Sequence, residues 1–190
     1  MRHSLILCSL LCFSMLIAEA RADDLPIEKG FTSLFNGKDL TGWQYGRRNP
    51  VDMKGKTQTP DGRISVKEGT IVMNKGRGIR DLFTVKKFGD DFTLRLEFNA
   101  GLRADSGVYI RGPQLQIRDF IRRKEQKQLT KFKNDGWNQL EIVVRGREAT
   151  CTVNGQMLRK MRIPATGGIG LQAESGTFAY RRIRIAPLKD

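Results

Sequence analysis

Apolar and polar residues alternate with a period of two along most of this chain, and the alternation is cleanest between residues 92 and 118. Phe92, Leu94, Leu96 and Phe98 alternate with Thr93, Arg95, Glu97 and Asn99, the signature of a strand with one buried and one exposed face. The pattern returns in Val108 and Ile110 against Tyr109 and Arg111, and again in Leu115 and Ile117 against Gln114, Gln116 and Arg118. Upstream, Ile64 to Val66 and Thr70 to Met73 flank Lys67-Glu68-Gly69 as a hairpin, and Leu82 to Val85 is a further short strand. Downstream, Leu140, Ile142 and Val144 face inward opposite Gln139, Glu141 and Val143. Ala149 to Val153, the tight-turn pair Asn154-Gly155 and Gln156 to Lys160 then form an antiparallel meander. Gly168 to Ala173 and Phe178 to Ala186 complete the set. About ten short strands with almost no helical periodicity predict one all-β sandwich domain, with no internal repeat. Only the segment from Asp119 to Asn134 admits a helix, through a thin apolar stripe of Phe120, Ile121, Leu129 and Phe132, and a loop is the equal alternative.

The N-terminal residues follow a different pattern. Arg2 and His3 precede an apolar run from Leu5 to Ile17, and Ala20-Arg21-Ala22 supplies a small-x-small cleavage site, so residues 1–22 read as a secretory signal peptide. The run is too short to span a bilayer comfortably and no later stretch is long enough, so the expected location is periplasmic or extracellular with no membrane span. Cleavage after Ala22 leaves 168 of the 190 residues as the domain 23–190. Two of the three cysteines and the single histidine depart with the leader, leaving Cys151 alone at an apolar-phase position. An intrachain disulfide and any step that needs imidazole are therefore excluded for the mature chain.

Loss of Arg2, Arg21 and Glu19 with the leader lowers the formal charge only from +14 to +13. A field of that sign favours anionic partners, acidic polysaccharide or a cell surface among them, with general solubility as the bland alternative. The densest positive run lies in residues 119–134, where Arg122, Arg123, Lys124 and Lys127 form a candidate anion-binding patch and, equally, an ordinary solvated face. Export argues against a dedicated nucleic-acid role for Phe120 and Phe132 among these cations.

If the strands around residue 100 lie side by side, their polar faces collect Arg95, Glu97, Tyr109, Arg111, Gln114, Gln116 and Arg118 on one surface. Such a set of forked donors, an aromatic ring and a carboxylate suits sugar hydroxyls. Glu97 is then the candidate acid or base, Arg111, Gln114 and Gln116 hold hydroxyls, and Trp43 or Tyr109 stacks on a ring. The competing reading is the solvated side of an antiparallel sheet, with Glu97 paired to a neighbouring arginine.

Several blocks in order resemble one known family: Gly30 to Trp43, Gly89 to Phe98, Asp105 to Gly112, Leu115 to Asp119, Trp137-Asn138, Val153 to Gly155 and Gly168 to Gln172. Together they resemble the 3-keto-disaccharide hydrolase-like domain. The resemblance implies a concanavalin A-like jelly roll and activity on 3-keto-sugars or their glycosides, with metal assistance. A divalent metal here would be held by Asp and Glu oxygens. Two departures from the family pattern stand out. Gln114 occupies a position where the family block begins with glutamate, and only Pro113 separates Gly112 from Gln114 where the family carries a long insertion. Three functions follow as alternatives: a glycoside hydrolase or lyase, a non-catalytic glycan-binding domain, and a basic adhesion protein for anionic polysaccharide.

Overall fold

The computed structural model describes residues 26–76 and 78–188, so the leader read at residues 1–22 lies outside the described residues. Fourteen strands are found there: β1 (Thr32–Ser33), β2 (Trp43–Tyr45), β3 (Val51–Asp52), β4 (Ile64–Lys67), β5 (Thr70–Met73), β6 (Arg80–Thr84), β7 (Phe92–Ala100), β8 (Asp105–Ile110), β9 (Gln114–Arg118), β10 (Asn138–Arg145), β11 (Glu148–Val153), β12 (Gln156–Arg162), β13 (Ile169–Ser175) and β14 (Phe178–Pro187). They form two antiparallel sheets. One has the order β12-β11-β10-β7-β14-β5-β4, with β1 added against β14, and the other has the order β3-β2-β6-β13-β8-β9. The fold is the all-β sandwich that the alternation predicts, in the single jelly-roll form that the family resemblance implies.

The inner faces meet in one core. Leu94, Leu96 and Phe98 of the eight-stranded sheet are fully buried, as are Val108, Ile110, Ile117 and Leu171 of the six-stranded sheet. Phe98 stacks on Phe178, with ring centroids 5.6 Å apart. The two layers are also tied by a polar contact, because Ser106 Oγ and Tyr180 Oη lie 2.7 Å apart. Burial pushes the Tyr180 phenol far above its ordinary range, so it remains a neutral hydroxyl that needs this partner. The contact also fixes the phase of β8: Ser106, Val108 and Ile110 look inward, and Asp105, Gly107 and Tyr109 look outward.

Turn chemistry is as the sequence suggests. Asn154 and Gly155 both have positive φ, 49° and 76°, which joins β11 to β12 with the backbone twist a two-residue hairpin needs. Glu68 and Gly69 do the same between β4 and β5, at 45° and 71°. Residues 119–134 contain turns and no helix. Phe120 and Leu129 are buried and Phe132 packs on the core, with Phe120 and Phe132 edge to face at 5.8 Å. The apolar stripe thus anchors a loop, and neither ring is presented to a nucleic acid.

Candidate functional site

The outward face of the six-stranded sheet carries an ordered polar network. In the register of β6, β13, β8 and β9, Gly170 stands opposite both Phe83 and Tyr109, and Tyr109 opposite Gln114. One step along, Gln172 stands opposite Asp81 and Gly107, and Gly107 opposite Gln116. The two glycines make the floor. A Cβ at residue 170 would lie 2.5 Å from the Phe83 ring and 2.9 Å from the Tyr109 ring, and one at residue 107 would collide with the Gln114 side chain at 2.0 Å. Phe83 and Tyr109 can therefore lie across the sheet, with centroids 5.2 Å apart.

Along this floor the hydrogen bonds run in one direction. Gln114 Nε2 donates to Gln172 Oε1 (2.6 Å), Gln172 Nε2 donates to Tyr109 Oη (2.8 Å), and Tyr109 donates to Asp81 Oδ1 (3.1 Å). Burial, reinforced by the charge of Asp81, raises the Tyr109 pKa, so the phenol stays protonated and remains a donor. Arg47 closes this end of the face. Its Nε is 3.1 Å from Asp81 Oδ2, and its guanidinium lies 4.2 Å from the Tyr109 centroid and 5.1 Å from that of Phe83. The arginine is half exposed (51%) while the Asp81 side chain is 13% exposed, so a half-exposed cation covers a sheltered carboxylate and two rings.

A second network occupies the β9 edge. Asp105 accepts from Gln116 Nε2 and from Arg118 Nε (3.0 Å), and Arg123 Nη2 is 3.4 Å away. Arg118 and Arg123 both reach Glu125 at 3.2 Å. Asp105 and Glu125 are thus committed to arginines and an amide, and Asp81, held by Arg47 and Tyr109, is the carboxylate placed beside the aromatic floor.

The structure separates residues that the strand pattern suggested would meet. Tyr109, Gln114 and Gln116 share the outward face of the six-stranded sheet, but Glu97 does not. It lies on β7 in the eight-stranded sheet, on the opposite outer face, and its two oxygens accept from Arg181 Nε and Arg182 Nη1 at 2.8 Å each. Arg111 also leaves the face. β8 ends at Ile110, Arg111 has φ +54°, and its side chain is buried at the sandwich end, donating to the carbonyls of Gly146 (3.0 Å) and Asp90 (2.5 Å). Trp43 is fully buried, its Nε1–H bonded to the Leu34 carbonyl at 2.8 Å, so it is core and not a stacking surface.

The basic run is likewise not an open patch. Arg122 is held by Asp119 (2.6 Å) and Asp135 (2.8 Å), and Arg123 by Glu125 and Asp105. Only Lys124 and Lys127 of the four candidate cations are exposed without an ion pair among the described residues. Asp81, Phe83, Gln172 and Arg47 were not singled out from the sequence. Asp81 and Phe83 do flank inward Leu82, and Gln172 ends the Gly-Ile-Gly-Leu-Gln run, so their outward phase was readable although their convergence was not.

The metal expectation can be tested on the donor set. Among the described residues, no three His, Cys, Asp or Glu side chains are grouped to hold a metal ion. The carboxylates of this face already serve arginine, tyrosine and glutamine donors, so the residues present do not fit a metal held by carboxylates.

The 3-keto-alpha-glucoside-1,2-lyase-like domain matches residues 30–186, and the chain belongs to that family. No curated protein sequence matches it. A Parabacteroides distasonis protein described as a candidate glycosyl hydrolase superposes with a TM-score of 0.66 at 19% identity, over 84% of this chain and 94% of its own. A second structure so described from that organism gives 0.64 at 19%, over 83% and 99%. The exoplasmic/lumenal domain of VIP36, bound to Ca2+ and Man3GlcNAc, gives 0.53 at 9%, over 85% and 89%. At these identities the likeness is one of fold.

Proposed function

We propose that this member of the 3-keto-alpha-glucoside-1,2-lyase-like family binds a saccharide on the outward face of the six-stranded sheet and cleaves 3-keto-glycosides there by elimination. The observation that carries this reading is the directional chain from Gln114 through Gln172 and Tyr109 to Asp81, laid beside two rings on a glycine floor. Amides and a phenol supply the donors and acceptors that sugar hydroxyls require, and the rings supply a flat apolar surface. The Man3GlcNAc-bound VIP36 domain and the candidate glycosyl hydrolases of the same fold support the substrate class.

The chemistry asks little of the protein. A ketone at C3 acidifies the C2 hydrogen, so a carboxylate can serve as the base. Asp81 takes that proton, the electron pair forms the C1=C2 bond, and the C1–O bond breaks. The departing alcohol takes a proton from Tyr109 or from water. Arg47, 3.1 Å from Asp81, supplies the positive charge that offsets the negative charge gathering on the C3 oxygen. Glu97, on the far side of the sandwich, has no part in this step.

Incubation with a 3-keto-glucoside, followed by enone absorbance, tests the reading. Wild type is expected to turn over, and Asp81→Asn to retain binding with at least a hundredfold loss of rate. Turnover by Asp81→Asn equal to wild type sinks the assignment of the base. A second reading, a glycan-binding domain without turnover, is favoured by Gln114, an amide where a glutamate is expected, and by the pairing of the carboxylates on this face. Calorimetric binding of saccharides with no product from any 3-keto-glycoside selects that reading. Export, proposed from residues 1–22, places either activity where polysaccharide is met.

A further inference from the structure

The opposite outer face, that of the eight-stranded sheet, holds a cleft of about 720 Å³ that the reading above does not use. Its floor is a row across three adjacent strands, because Gln139 of β10 pairs with Glu97 of β7 and Glu97 pairs with Arg181 of β14. The register of β14 shifts between Arg181 and Arg184, and Arg182 takes a left-handed conformation with φ +49°. A bulge of this kind sets consecutive side chains on one face, so Arg181 and Arg182 both reach Glu97 and neutralise it twice over. Arg184 is in turn committed to Glu28, at 2.5 Å.

The wall is pre-formed. Lys131 is fixed through its backbone, its N–H donating to Gln156 Oε1 and its carbonyl accepting from Asn154 Nδ2, both at 2.7 Å. Lys133 is fixed in the same way by the buried Asn138, at 2.8 and 2.9 Å. Both lysine side chains line the cleft, are exposed and have no ion pair among the described residues. The cleft therefore holds five cations against two carboxylates, a surplus of three positive charges. Among the described residues, the buried Nε–H of Arg182 also lacks a partner. Beside these cations stands the half-buried Trp137, whose ring carries the Arg181 guanidinium at 3.9 Å.

We infer that this cleft is a second saccharide site, specific for acidic sugars: Trp137 seats a sugar ring, and Lys131 and Lys133 receive its carboxylate or sulfate. The half-buried indole beside two lysines whose backbones are fixed and whose side chains have no ion pair among the described residues distinguishes this site from Arg122 and Arg123, which are each held by carboxylates. A site on this face also leaves the glycine-floored face free, so both can be occupied together.

Calorimetry on the whole chain tests the assignment, using a trigalacturonate, the same trisaccharide with its carboxyl groups reduced, and a heparin-derived sulfated trisaccharide. The acidic ligands are expected to bind at least tenfold tighter than the reduced one, to weaken as salt is raised, and to quench Trp137 fluorescence. Preference between the two acidic ligands identifies which anion the cations take. Lys131→Glu with Lys133→Glu should lower acidic-ligand affinity at least tenfold, while Lys127→Glu, on the solvated loop, leaves it unchanged. Equal binding of reduced and acidic trisaccharide, or affinity that survives the double charge reversal, overturns the proposal. So does affinity that falls with the lysines but is untouched by Trp137→Leu, since that describes a polyanion surface and not a sugar seat. The Asp81→Asn variant should bind the acidic ligands as wild type does, so failure at one face is read separately from failure at the other.

Discussion

Gly170→Ala gives the sharpest test of the glycine floor. The residue has ordinary backbone angles, so alanine brings no conformational strain and the effect is purely steric. The new Cβ would stand 2.5 Å from Phe83 Cδ1 and Cε1 and 2.9 Å from Tyr109 Cδ2, where carbon atoms settle at about 3.5 to 4.0 Å. Both rings must retreat by about 1 Å. Tyr109 is held by Gln172 at 2.8 Å and by its bond to Asp81 at 3.1 Å, and Phe83 sits under Arg47, so retreat breaks contacts as it relieves the clash. Overpacking of this kind costs about 1 to 3 kcal/mol. At about 2 to 4 °C per kcal/mol for a domain of this size, the midpoint of thermal unfolding should fall by about 2 to 12 °C. Gly107→Ala is the internal control. Its Cβ meets the side chain of Gln114, which can swing away, so stability should change by less than about 1 kcal/mol while the Gln114 to Gln172 bond is lost. Differential scanning calorimetry measures the first quantity for both variants, and saccharide titration measures the second. If Gly170→Ala melts with wild type and binds saccharide as tightly, the rings do not rest on that glycine and the site as built is wrong.

Three further outcomes follow from other parts of the molecule. Glu97→Gln leaves Arg181 and Arg182 facing each other with side chains 18% and 17% exposed, and should cost about 2 to 3 kcal/mol in urea unfolding without altering 3-keto-glucoside turnover. Hydrogen bonds from Arg184 hold the Glu28 carboxyl at about 2, below its ordinary 4.5, so its stabilisation is complete above pH 4.5 and is lost as pH falls toward 2. Acid titration of Glu28→Gln should therefore show a shallower loss of stability than wild type across that window, and identical curves refute the pairing. Burial pushes the Cys151 thiol up to about 12, so it should resist alkylation in native protein at pH 8 and react fully in denaturant.

The period-two alternation determined a great deal. It assigned Leu94, Leu96, Phe98, Val108, Ile110, Leu115 and Ile117 to the interior, and the structure buries them all. Asn-Gly at 154 and 155 turned the chain where expected, because few other residue pairs accept positive φ twice in succession. Side-chain size and polarity also misled, since Trp43 and Arg111 read as binding groups but are buried with their donors on backbone carbonyls. Periodicity cannot report what an individual buried donor will find.

What only the tertiary structure decided is the layer to which each strand belongs. β7 and β8 are separated by four residues, yet β7 pairs with β10 and β14 while β8 pairs with β9 and β13. Glu97 and Tyr109, both outward by phase, therefore stand on opposite outer faces of the sandwich, Tyr109 buried beneath Arg47. An alternating strand records inside against outside, which its own residues dictate. Which of two equivalent layers it joins depends on pairing with strands as far as 95 residues away, the separation of Phe92 from Pro187, and no local pattern carries that choice. The same long-range pairing brought Asp81, Gln172 and Gln114 from three strands into one network, and set Lys131, Trp137 and Arg181 around another.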